Sequence, residues 1–300
     1  MTPRTRSALV TLAALVALAP ACGLFTSTSS SRRARASAGD AVGLRWRAMR
    51  GRRSDAGVVA DAAAGASSRC PDGAVYVPGG TFVMGSPEGE GAPDEHPSRQ
   101  VTLGAYCVDR TEATIDAYTA CVTAGACSPA RGTQTQGDVP ASGVDWEQAV
   151  SYCRFQGGRL PTEAEWELAA RGTDGRRFPW GNEAPAGCDR ADWTPDGTAQ
   201  SCHGVGPSSV GSHPSNASPY GALDMAGNVW EWTADWYAPA YPAGVARDPA
   251  GPAEGSARVT RGGGWNNDQV DRMRATWREG QHPAFHDYDQ GVRCAYDSAP

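Results

Sequence analysis

Apolar positions are sparse along most of this chain, and only a few windows hold a period long enough to define an element. In "VDWEQAVSYCRFQGG" (144–158), Trp146, Ala149, Val150 and Cys153 fall at i, i+3, i+4 and i+7, one face of a helix. Asp145 suits its N-cap, and Gly157 and Gly158 end the run. "LPTEAEWELAARG" (160–172) predicts a second helix, with Thr162 and Glu165 as a capping box and Gly172 at the C-cap. Strands are predicted around "AVYVPGGTFVMG" (74–85) and "RQVTLGAYCVD" (99–109), which are rich in β-branched and aromatic residues. Between these windows, 37 glycines and 22 prolines punctuate the chain and imply much irregular backbone. The class is α+β. No internal repeat and no second linker divides residues 70–300, which are read as one domain.

The N-terminus follows a different pattern. Arg4 and Arg6 precede an apolar run from Ala8 to Ala19, and Ala19-Pro20-Ala21 stands before Cys22. This is the layout of a secretory signal over residues 1–22, with an apolar run too short to span a bilayer. Two processing routes stay open: cleavage after an A-x-A triplet, or lipoprotein maturation that leaves Cys22 as a lipidated N-terminus. Either exports the protein, as a membrane-anchored lipoprotein or a periplasmic or extracellular one. Residues 23–69 carry nine arginines against three aspartates and few large apolar side chains, and are read as a disordered tether. Export argues against nucleic acid as the partner of the cluster Arg45–Arg53. The remaining readings are contact with anionic lipid headgroups and a solvated spacer.

Charge and cysteines separate the domain from the tether. From Cys70 onward, 16 arginines face 30 carboxylates. Apart from Cys22 there are eight cysteines, an even set suited to an oxidising compartment, for which sequence alone allows 105 pairings. The chain has no lysine, which excludes Schiff-base and lysine-base mechanisms. His282 and His286 stand at i, i+4, but Pro283 disfavours a helix there, so a metal site is not expected. Asp235, Asp287 and Asp289 are candidate acid–base groups, with solvated surface carboxylates as the default. Trp230, Trp232, Trp236 and Trp265 are read as core filling more than as a sugar or peptide groove. Trp230 and Trp232 are not expected to face the same way.

Six blocks occur in order: "GGTFVMGS" (79–86), the stretch 144–172, "PWGN" (179–182), "YGALDMAGNVWEWTADWY" (220–237), "RVTRGGGW" (258–265) and "DQGVRCA" (289–295). Together they resemble the sulfatase-modifying-factor, or formylglycine-generating-enzyme, family, over nearly all of residues 74–296. The resemblance implies a C-type-lectin-like α+β fold with little regular structure. It also implies that the segment after "RGGGW" is the family's active site, where two cysteines bind copper and activate oxygen. Here Gly264 replaces the family's serine, Trp265 keeps its aromatic, and the cysteine positions fall on Asn267 and Arg272. Neither an amide nor a guanidinium can replace the soft thiolates that copper(I) prefers, so copper is not expected.

The resemblance carries further expectations. The family binds structural calcium through the segment matching "DMAGNVWE", which assigns side chains of Asp224 and Glu231 and carbonyls of Gly227 and Val229, oxygen ligands suited to a hard cation. The family's bridge from the first helix to the last block pairs Cys153 with Cys294. Short loops favour Cys121–Cys127 and Cys188–Cys202, leaving Cys70 for Cys107. Three functions follow: a non-catalytic envelope lipoprotein that binds or scaffolds a protein, peptide or glycan; an oxidoreductase of the superfamily with altered oxidative chemistry; and a formylglycine generator for sulfatases. The missing thiols disfavour the last.

Overall fold

The computed structural model describes residues 69–132, 137–195 and 201–299. The signal, Cys22 and all of the tether but Arg69 lie outside the described residues.

Both expected helices form with the caps their sequences specify. Helix α1 (Ile115–Thr123) precedes them, followed by α2 (Trp146–Phe155) and α3 (Glu163–Arg171). The Asp145 carboxylate accepts from Gln148 N, and the Gln148 side chain accepts from Asp145 N, both at 2.9 Å. Thr162 and Glu165 exchange the equivalent bonds at 3.2 and 2.8 Å. Gly172 ends α3 at φ 66°, a left-handed value that favours glycine. All nine residues of α3 are buried, charged ones included. Helix α1 was not anticipated. Its apolar face is only Ile115, Tyr118 and Cys121, diluted by threonine and alanine, although Thr114 caps it by accepting from Ala117 N.

Among the described residues, ten short strands build three sheets around these helices. The first sheet has the order β1 (Ala74–Val77), β4 (Tyr106–Asp109), β10 (Ala295–Asp297), all antiparallel. The second pairs β2 (Gly80–Met84) with β3 (Arg99–Leu103) antiparallel, and β3 with β6 (Ala246–Arg247) parallel. The third runs β8 (Glu279–Gln281), β7 (Arg258–Arg261), β5 (Trp230–Trp236), β9 (Gln290–Gly291), with β5 and β9 parallel. Trp166 and Leu168 of α3 join Phe82, Met84, Val101 and Met225 in one core; α1 and α2 close a second over Trp232.

Four disulfides join the pairs expected: Cys70–Cys107, Cys121–Cys127, Cys153–Cys294 and Cys188–Cys202, with Cα separations of 5.3 to 5.6 Å. Cys153–Cys294 ties α2 to the end of the chain across 141 residues. One expectation fails in β5. Trp230 and Trp232 lie on an extended strand, where i and i+2 share a face.

Candidate functional site

Strand β7 delivers the chain to a loop that doubles back on itself. Gly262 and Gly263 take φ 95° and 79°, and a Cβ at Gly263 would stand 3.0 Å from both the Arg272 carbonyl and the Asn267 amide nitrogen. Asn267 therefore turns in under the glycines. Its Oδ1 accepts from Arg272 Nη1 at 3.3 Å, so the two residues that the resemblance sets at the family's cysteine positions touch each other. Asn267 Nδ2 and Trp265 Nε1 are buried without a hydrogen-bond partner, and Arg272 Nε has only the Glu279 carboxylate at 3.8 Å. Tyr288, half exposed, tilts over Trp265 with ring centroids 5.5 Å apart.

Asp289 completes this centre. A Cβ on Gly264 would meet Asp289 Oδ2 at 2.6 Å, so the carboxyl fills the space beside that glycine. Burial, and then the Asp287 charge, push the Asp289 carboxyl up to about 7. Asp235 behaves alike: burial, and then Glu163, raise it to about 7, while its Oδ2 accepts from Glu163 N at the head of α3. The default of solvated carboxylates is thus wrong for both, because α3 and the 287–290 turn cover them; each is less than 7% exposed.

The segment assigned to calcium is assembled differently. Asp224, at φ 58°, accepts from Gly211 N at 2.5 Å and from Asn216 Nδ2 at 3.2 Å. Glu231 accepts four bonds: three from Arg293 at 2.7, 2.9 and 3.1 Å, and one from Trp166 Nε1 at 2.6 Å. A carboxylate offers about four lone-pair sites, so Glu231 is saturated. Arg293 is itself fully buried and also donates to the Asp109 and Leu223 carbonyls. The residues present do not fit a calcium set of Asp224, Gly227, Val229 and Glu231, because a guanidinium already supplies the positive charge. Nearby Glu112 is buried with neither oxygen bonded. Burial, and then the Asp224 charge, push its carboxyl well above the usual range.

The other sequence candidates separate. His286 faces Arg131, 2.6 Å from Nε2 to Nη1, and His282 accepts from Ala284 N, so the pair does not converge. Trp230, Trp232 and Trp265 are buried. Trp236 is half buried and holds the Arg258 guanidinium 3.4 Å over its ring centroid, and the same guanidinium lies 3.8 Å from the Trp146 centroid. Trp236, Asp235, Tyr241, Pro242, Pro249 and Pro252 line part of a cavity of about 380 Å³. Sequence reading missed a pair of histidines, His203 and His213, whose Nε2 atoms meet at 3.4 Å. Ten residues and an irregular loop separate them, which no periodic pattern encodes.

This chain belongs to the sulfatase-modifying factor enzyme 1-like domain family, which matches residues 60–298. It is 34% identical to the formylglycine-generating enzyme of Thermomonospora curvata, over 75% of this chain and 93% of that protein. It is 29% identical to the inactive Cα-formylglycine-generating enzyme 2 of Mus musculus, over 74% and 84%. Among solved structures it is similar to PvdO from Pseudomonas aeruginosa, with a TM-score of 0.66 and 25% identity over 75% of this chain and 94% of that one. The α+β architecture, with few helices and short strands, is the C-type-lectin-like fold of this family.

Proposed function

We propose that this protein is an exported member of its family that has given up formylglycine generation and serves as a binding or scaffolding module at the cell envelope. The observation that carries the reading is the fate of its thiols. By the resemblance, Asn267 and Arg272 occupy the family's copper-binding cysteine positions, and all eight cysteines from Cys70 onward are joined in disulfides. No thiolate is left in the domain to hold copper(I). The cavity beside Trp236 and Tyr241 offers aromatic and proline walls with a few polar groups, a setting for a peptide or glycan ligand.

Export fits the four disulfides, and no described helix is long and apolar enough to cross a membrane. The reading places the domain on a lipid anchor at Cys22 and a tether of residues 23–69. One observation favours a second reading, an oxidoreductase of the superfamily with different chemistry: Asp289, raised to about 7, fills the space beside Gly264, in the same loop as the unpartnered donors of Trp265 and Asn267. The deciding experiment incubates the purified protein with copper(I), oxygen and a Cys-x-Pro-x-Arg peptide. Mass spectrometry is expected to find the cysteine unchanged, and catalytic conversion to the aldehyde overturns the proposal.

A further inference from the structure

We propose that His203 and His213 form a binding site for a divalent transition ion of intermediate softness, zinc foremost. Their Nε2 atoms face each other at 3.4 Å. That is long for a hydrogen bond donated by a ring nitrogen. It matches the edge of a tetrahedral site: with zinc–nitrogen bonds of about 2.0–2.1 Å, two ligating nitrogens stand about 3.3–3.4 Å apart.

Each ring is held by a different device. His203 follows Cys202, which is fixed by the bridge to Cys188 and by the bond from Cys202 N to the Trp193 carbonyl at 3.0 Å. His213 is buried and leads into the short 3₁₀ turn Pro214–Asn216. Its Nδ1 contacts Ser212 Oγ at 3.1 Å, leaving Nε2 to face the site. A second-layer partner on the far nitrogen is the usual device for aiming a ligating imidazole. From Ser212 the chain of contacts continues to Ser208 Oγ at 3.2 Å, and Ser208 N donates to Asp192 Oδ2 at 2.8 Å. Asp192 Oδ1 is buried with no hydrogen-bond partner. A cation between the imidazoles would give that carboxylate the countercharge it lacks.

The donor set fixes the class of ion. Imidazole suits zinc, copper and nickel, whereas calcium and magnesium demand oxygen. Among the described residues no three His, Cys, Asp or Glu side chains converge in ligand geometry, so the protein supplies two ligands and water takes the rest. Such a site is open and exchangeable.

The test uses the full chain, stripped with chelator and titrated with zinc alone, read by calorimetry and by elemental analysis after dialysis. One zinc per chain is expected, undiminished by excess calcium. His203→Ala and His213→Ala should each abolish binding, while His282→Ala, on the other histidine pair, should leave it intact. His203 is exposed, so His203→Ala should melt where the parent does and report ligation apart from folding. Absence of zinc in the unaltered chain, or retention of zinc by either His203→Ala or a folded His213→Ala, overturns the proposal.

Discussion

Arg293 closes on Glu231 at 2.7 to 3.1 Å, both side chains fully buried, and Trp166 fills the remaining acceptor site from α3. One guanidinium thus joins β5, α3 and the carbonyls of Asp109 and Leu223 at the position where the family resemblance places calcium. A cation and this arginine compete for the same carboxylate. The melting temperature is therefore expected to be the same in chelator and in millimolar calcium, with disulfides intact. Glu231→Ala, which strands a buried arginine, should cost about 3–5 kcal/mol in chemical denaturation. A calcium-dependent rise of several degrees would show that Glu231 leaves Arg293 for the ion.

Asp289 should give stability a pH dependence of unusual sign. In an unfolded chain an aspartate ionises near 3.9, whereas in the fold Asp289 is raised to about 7. Between about pH 4 and pH 7 the native state keeps a proton that the unfolded state has released. Stability falls as pH rises across that window, and the loss is complete above 7. Asp289→Asn, which keeps the shape of the neutral acid, should gain on the parent as pH rises, by on the order of 1–3 kcal/mol more at pH 8 than at pH 5. Denaturant midpoints at the two pH values check this, and a parallel pH response in both proteins would refute it.

The unevenness of what the sequence discloses has a physical pattern. Asp145 and Thr162 cap helices through neighbours three residues away, so local spacing predicted both. The disulfides followed from family resemblance and loop economy, because a bridge such as Cys153–Cys294 spans 141 residues and leaves no local trace. That Asn267 and Arg272 carry no thiol is legible directly, since a residue's identity needs no fold to read. The partners that fill the polar interior were not legible. Arg293 reaches Glu231 across 62 residues and Arg278 reaches Glu163 across 115, and such pairings depend on the closed sheet order. The same holds for Asp289, whose burial rests on Gly264 rather than on anything beside it in the chain.

Opening the longest disulfide loop should be costly. Cys153 and Cys294 are fully buried, and their bridge fastens α2 to the last block beside β10. In the chain-entropy account a loop of this length stabilises by roughly 4–5 kcal/mol. The double substitution Cys153→Ala, Cys294→Ala should lower the denaturant midpoint by far more than the loss of Cys121–Cys127, which closes only a short turn. Equal effects of the two removals would contradict it.

Lipid attachment is tested at a single atom. Cys22→Ser removes the thiol that lipoprotein processing requires, so the variant should fail to mature or should leave the membrane fraction. The tether and domain are unchanged by it. A Cys22→Ser protein that matures and stays membrane-bound would place the anchor elsewhere.

Gly264 and Asp289 compete for one volume, and that competition should be measurable. A Cβ on Gly264 would lie 2.6 Å from Asp289 Oδ2, closer than real Cβ contacts come, and 3.0 Å from Asp289 Cβ, tighter than most. Gly264→Ser, the residue the family resemblance places here, must therefore push Asp289 aside, at a cost of about 1–3 kcal/mol for an overpacked buried site. Asp289→Ala alone should also destabilise, by leaving a void beside Trp265 and Tyr288. Combined, the two changes should cost less than their sum, because the serine enters space the carboxyl has vacated, with a coupling of about 0.5–3 kcal/mol. The measurement is a double-mutant cycle at pH 5, where Asp289 is neutral in the fold and brings no charge to the contact. Strict additivity would mean that the two side chains do not share the space, and would remove the structural reason for glycine at 264.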